Sequence, residues 1–167
     1  MKNASAARYR PAHLGKRSPG PVATVDRIPW QGKPITVELA CDEFTSLCPV
    51  TGQPDFGALT VRYAPVDWLI ETKSLKLYLW QFREQGVFNE ILVDRIAGEL
   101  YDQVQPGWIE VAGEFHSRGG IAIRATGRRG TFPCVPPATA PSESRLQAEV
   151  AKGLQPRVPA PVHRTRA

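Results

Sequence analysis

Apolar and polar residues alternate in two stretches of the first half of the chain. In ITVELAC, Ile35, Val37, Leu39 and Cys41 share one face, with Thr36, Glu38 and Ala40 on the other. In ALTVRYA, Leu59, Val61 and Tyr63 oppose Thr60 and Arg62. A period of two marks a strand with one buried face, so both segments predict strands. The spacing then changes. Leu75, Tyr78, Leu79 and Phe82 form a helical stripe in SLKLYLWQFREQG, with Gly86 as its stop. Leu92, Ile96, Leu100 and Val104 recur every four residues until Pro106-Gly107 ends the run. Two more strands follow, WIEVAGEF (Ile109, Val111, Phe115) and GGIAIRA (Ile121, Ile123), joined by a turn at 117–120. The order strand, strand, helix, helix, strand, strand predicts an α+β fold, a four-stranded antiparallel sheet with two helices on one face. A long loop over 42–56 is expected between the first two strands, and loops of that length in small domains are usually functional.

A chain of 167 residues suits one domain with a real core. No apolar run approaches the roughly 18 residues of a membrane span. The start of the chain is basic but lacks the apolar stretch of a secretory signal, so a cytoplasmic location is expected. Cys41, Cys48 and Cys134 are odd in number and form no CxxC, which points to reduced thiols. The net charge of +5 is unevenly spread. Residues 1–34 hold seven Lys/Arg against one Asp, and 127–167 hold seven against two Glu, whereas 35–126 hold seven against thirteen acidic residues. The body is acidic, so a basic nucleic-acid groove in the fold is not expected, and nucleic acid would be met only weakly through the tails. Composition divides the chain into a basic, partly disordered N-terminal extension (1–34), a folded unit (35–126) and a Pro/Ala-rich tail (127–167). Trp30 is expected to pack on the body. The tail reads as disordered apart from a turn or two of helix at 143–152.

The segment CDEFTSLCPVTGQPDF carries the candidate chemistry. Pro49 biases Cys48 towards an extended backbone, and Thr51-Gly52-Gln53-Pro54 can turn the chain back so that Asp55 returns near the sulfur. Cysteine is a strong nucleophile, and a carboxyl can move the proton that an addition requires. An anionic neighbour would raise the thiol pKa, so something else must favour the thiolate. The same spacing also suits a structural cysteine beside an ordinary turn.

CPVTGQPDF followed by ETKSLKLY (71–78) resembles the signature pair of the 7-cyano-7-deazaguanine reductases of queuosine biosynthesis. The likeness continues through FREQGVFNE (82–90) and SRGG (117–120), and spans about 43–123. The resemblance implies a tunnelling fold in its short single-domain form, whose subunits close into barrels, here two stacked pentamers, with active sites at subunit interfaces. It implies that Cys48 attacks the nitrile carbon to give a thioimide, that Asp55 relays protons, and that NADPH supplies hydride twice to yield the aminomethyl product. Glu90 would hold the guanine-like edge, since one carboxylate offers two acceptors to two parallel donors. Asn89, Glu71, Thr72, Lys73 and Ser74 would also line the substrate site. Lys73, Ser74, Lys76, Arg118 and Gly119 would hold the cofactor phosphates, helped by free N–H groups at a helix start near Ser74. The family often has His where this chain has Asn89, and an amide cannot carry a proton near neutral pH.

Zinc-dependent relatives of the tunnelling fold need clustered histidines, and His13, His116 and His163 do not supply them, so no metal is expected. Two other readings stay open. One is a thioimide-forming amidinotransferase acting on deazaguanine in tRNA; the other is a non-enzymatic oligomeric nucleic-acid-binding module.

Overall fold

In the computed structural model, residues 11–17 and 20–133 are described. Four strands form one antiparallel sheet: β2 (Val37–Leu47), β3 (Pro54–Ala64), β5 (Trp108–Arg118) and β6 (Ile121–Gly130), in the order β2-β3-β5-β6. Two short strands, β1 (Arg27–Pro29) and β4 (Trp68–Ile70), pair with each other. Helix α1 (Thr72–Trp80) runs into a 3-10 turn (Gln81–Glu84), and α2 (Asn89–Val104) follows. The order of the main elements is the one the periodicity predicts.

The predicted stripes are the buried ones. Leu75, Tyr78, Leu79 and Phe82, with Leu92, Ile96, Leu100 and Val104, pack on Leu59, Val61, Tyr63, Ile109, Val111 and Phe115. Gly113 and Gly127 let α2 lie close on β5 and β6. A Cβ at Gly113 would sit 2.7 Å from Val93 Cγ2, and one at Gly127 would sit 3.0 Å from Ala97 Cβ. Across the open face of the sheet, Glu38, Arg62, Glu110 and Arg128 stand opposite one another on successive strands as a ladder of alternating charge.

Three expectations change. The loop over 42–56 is mostly strand: β2 runs on to Leu47, β3 starts at Pro54, and only a turn at 48–53 separates them. An extra residue in β2 makes this possible, because the register moves from Cys41↔Leu59 to Phe44↔Gly57, three steps on one strand and two on the other. That bulge continues the ladder but reverses the face each later residue presents. Ile35 lies outside the strand and is exposed, and Ile121 is exposed at the start of β6.

The strand-bearing part runs from Arg27 to Gly130, wider at both ends than 35–126. Before it, Asp26 is buried and its carboxylate accepts from the N–H groups of Ala12, His13 and Leu14 at 2.8, 2.7 and 2.9 Å. Burial acts to raise its pKa, yet those three donors outweigh it and hold the carboxyl below its usual value. Cys134 and the helix expected at 143–152 lie outside the described residues. No helix among the described residues is long and apolar enough to cross a membrane.

Candidate active site

Cys48 follows the last residue of β2, and the bulge decides where it points. Without it, Cys41 would share a face with residues 43, 45 and 47. With it, Phe44 and Ser46 are the buried pair, and the next residue of that face is Cys48. The turn then closes tightly. Cys48 N–H donates to Gln53 O at 2.8 Å, and Gly52 N–H donates to Cys48 O at 2.9 Å. Gly52 has φ +68°, a conformation that glycine adopts without steric cost.

The turn folds around its own sulfur. Groups able to donate to Cys48 Sγ surround it, in order of their effect the Thr51 hydroxyl, the N–H groups of Thr51 and Val50, and the Arg118 guanidinium. These donors favour the ionised form and outweigh a slight burial, so the thiol pKa falls from 9.0 to about 6. The Thr51 hydroxyl also accepts from Gln53 N–H at 3.3 Å, which leaves its proton for the sulfur.

Asp55 stands on β3, directly opposite Ser46, and is 5% exposed. Arg118 Nη2 contacts Asp55 Oδ1 as an ion pair. Arg118 reaches inward because β5 carries a bulge of its own: the register moves from Phe115↔Ile123 to Arg118↔Ile121. Cys48, Asp55 and Arg118 are therefore joined through one guanidinium.

The chain before α2 runs beside the Cys48 turn. Leu47 N–H donates to Gln85 O at 3.1 Å and Val87 N–H donates to Leu47 O at 3.2 Å. A Cβ at Gly86 would lie 3.1 Å from Pro49 Cα. This ties the start of α2 to the nucleophile's loop. Asn89 is buried with its Oδ1 unpartnered, while Glu90 is exposed on the first turn. Ser46 Oγ is likewise buried and without a partner.

At α1 the expectation of open helix-end donors is overturned. The helix starts at Thr72, and the Glu71 carboxylate accepts from the N–H groups of Lys73 and Ser74, both at 2.8 Å. Ser74 is fully buried, donating to Glu71 O and accepting from Asp26 N–H. Lys73 Nζ is spent on the backbone carbonyls of His13 and Lys16. Arg118 is occupied with Asp55 and the sulfur, and Gly119 sits at φ +57° in the exposed hairpin turn. Lys76 and Arg83 lie on the other side of α1's start, at the β2 bulge. They line a groove between α1 and the β2 bulge together with Thr72, Leu79 and three carboxylates, Glu38, Asp42 and Glu43, and neither forms an ion pair among the described residues.

Thr51, Ser46 and Arg83 did not stand out in the sequence reading. A signal existed for Thr51: a hydroxyl three residues after a cysteine, before Gly, is placed to turn back on the backbone. None existed for Ser46.

The profile of a family described as QueF-like protein matches residues 54–132. An NADPH-dependent 7-cyano-7-deazaguanine reductase of Anaeromyxobacter dehalogenans (strain 2CP-C) is 48% identical over 105 residues, 63% of this chain and 86% of the relative. A protein of the same name from Brucella ovis is 43% identical over 113 residues, 66% of this chain and 73% of the relative. Among solved structures, the apo form of an archaeosine synthase QueF-like protein aligns with a TM-score of 0.53 at 16% identity, covering 62% of this chain and 100% of that one. That last likeness is one of fold alone.

Proposed function

The chain belongs to the family of NADPH-dependent 7-cyano-7-deazaguanine reductases, and from that membership we propose that it reduces the nitrile of 7-cyano-7-deazaguanine to the aminomethyl group in queuosine biosynthesis, through a covalent thioimide on Cys48. The observation that carries the reading is the Cys48 thiol, its pKa lowered to about 6, at the ion pair of Arg118 with the buried Asp55.

The Cys48 thiolate attacks the nitrile carbon, and a proton taken from solvent by the Asp55 carboxylate is passed to the nitrogen. A nitrile is a poor hydride acceptor and a thioimide a better one, which is why the sulfur is needed. NADPH, as in the relatives' name, would supply one hydride per molecule, so two molecules bind in turn, and we assign its phosphates to Lys76 and Arg83. Once the thioimide carbon is reduced, the carbon–sulfur bond breaks with its electron pair on Cys48, leaving an imine that is reduced to the amine. Glu90 accepts from the guanine-like edge. Asn89 Oδ1, buried and unpartnered, offers a fixed acceptor near the start of α2. With Asn in this place, proton transfer falls to Asp55.

The subunits are proposed to close into a barrel, two stacked pentamers with sites at the clefts between them, in the cytoplasm. Intact mass spectrometry with the nitrile base and no NADPH tests the chemistry. A covalent adduct is expected, absent in Cys48→Ala and present in Cys134→Ala. Absence of any adduct in the unaltered chain would refute the mechanism. Consumption of NADPH with the free base separates reduction from amidinotransfer.

A further inference from the structure

Two groups that ionise as anions meet at this site, and nothing in the sequence says what holds them together. Asp55 is 5% exposed, and a carboxylate so buried is costly unless it is paired. The Cys48 sulfur lies within the same cluster. A second anion there would oppose ionisation of the thiol unless a cation served both.

We propose that Arg118 is that shared cation: its guanidinium holds the buried Asp55 carboxylate and also serves the Cys48 sulfur of the same cluster, so that one arginine bridges the nucleophile and the carboxyl. Arginine suits the task, because its planar fork presents several donors in fixed directions and stays charged. The β5 bulge aims it, since an unbulged strand would turn residue 118 to the opposite face. The Thr51 hydroxyl and the N–H groups of Val50 and Thr51 complete the shell around the sulfur.

The assignment deepens the reductase reading and rests on it for its consequence in turnover. When Cys48 bonds to the nitrile carbon, sulfur loses its charge and Arg118 is left with Asp55 alone. When the carbon–sulfur bond later breaks, the electron pair returns to sulfur, and Arg118 with Thr51 receives the leaving thiolate. The same guanidinium cannot also be spent on a cofactor phosphate.

The test is the pH dependence of Cys48 alkylation by iodoacetamide, followed peptide by peptide on the full chain without substrate or cofactor. The unaltered chain is expected to show an inflection near 6. Arg118→Gln and Thr51→Val should each move it upward, together by about 1 pH unit or more, while Arg118→Lys restores part of the shift. Unchanged thermal midpoints show that the fold is intact, and Thr51→Val stands in if Arg118→Gln does not fold. An inflection that stays near 6 in Arg118→Gln, with only KM for NADPH raised, overturns the proposal and returns Arg118 to the phosphates. Alkylation needs no nitrile. Shifts as expected without any nitrile adduct would therefore sink the reductase mechanism and leave the arginine bridge standing.

Discussion

Ser46 faces Asp55 directly across the β2–β3 ladder, and the Ser46 hydroxyl, fully buried, has no hydrogen-bond partner among the described residues. Side chains opposed in an antiparallel pair have Cβ atoms about 4.5–5.5 Å apart, so the hydroxyl is within a rotamer change of the carboxyl. Buried polar groups are seldom left unpaired, and those that are commonly serve a ligand or a reacting group. Ser46→Ala is expected to leave the thermal midpoint nearly unchanged, because no bond is lost in the resting chain. Formation of the nitrile adduct should slow by about 5-fold, the worth of one hydrogen bond near 1 kcal/mol. A large loss of stability with normal adduct formation would contradict this role.

The lowered thiol sets the acid limit of the reaction. With the folded pKa near 6, adduct formation should be flat above that pH and fall about tenfold per pH unit below it. The sign for stability follows from linkage. The unfolded thiol titrates near 9.0 and the folded one near 6, so the folded chain binds fewer protons between them. The stabilisation is fully present above 9.0, declines as pH falls through this window, and is gone below about 6. Cys48→Ala should flatten that slope in urea titrations run across the same range.

Asp26 anchors the N-terminal segment by taking three N–H groups on one carboxylate. Asp26→Ala leaves those three donors without their acceptor, and should cost about 1–3 kcal/mol in urea unfolding. Limited proteolysis should then cut near residues 12–17, which the unaltered chain protects. Because the carboxyl titrates below its usual range, its contribution persists above pH 4 and disappears as pH falls through the lowered value.

Changing Lys76 and Arg83 should separate cofactor binding from chemistry. The double change Lys76→Ala with Arg83→Ala should raise KM for NADPH by about 10-fold or more, as loss of two charged hydrogen-bond donors to phosphate implies. The nitrile adduct should form at an unaltered rate. Equal losses in both measurements would place these cations in the substrate site instead.

Periodicity determined much of this protein. Alternation at Leu59, Val61 and Tyr63, and four-residue recurrence from Leu92 to Val104, specify faces that must be buried, and burial then orders the sheet and its helical layer. The sequence also placed Cys48, a turn and Asp55 together, since a Pro-Gly turn of six residues leaves the chain little choice but to double back. Three features needed the tertiary structure. The first is the bulge after Cys41, one added residue that no period reveals, which turns Ser46 towards Asp55. The second is the bulge after Phe115, which brings Arg118 from a hairpin end to the sulfur. The third is the Glu71 cap, which takes the donors that the helix start seemed to offer phosphate. Each concerns which partner a polar group finds, and that depends on groups far apart in the chain. Hydrophobic faces are written locally because burial needs only an apolar side; polar partnerships are not, because a hydrogen bond or ion pair forms only where the folded backbone delivers both members.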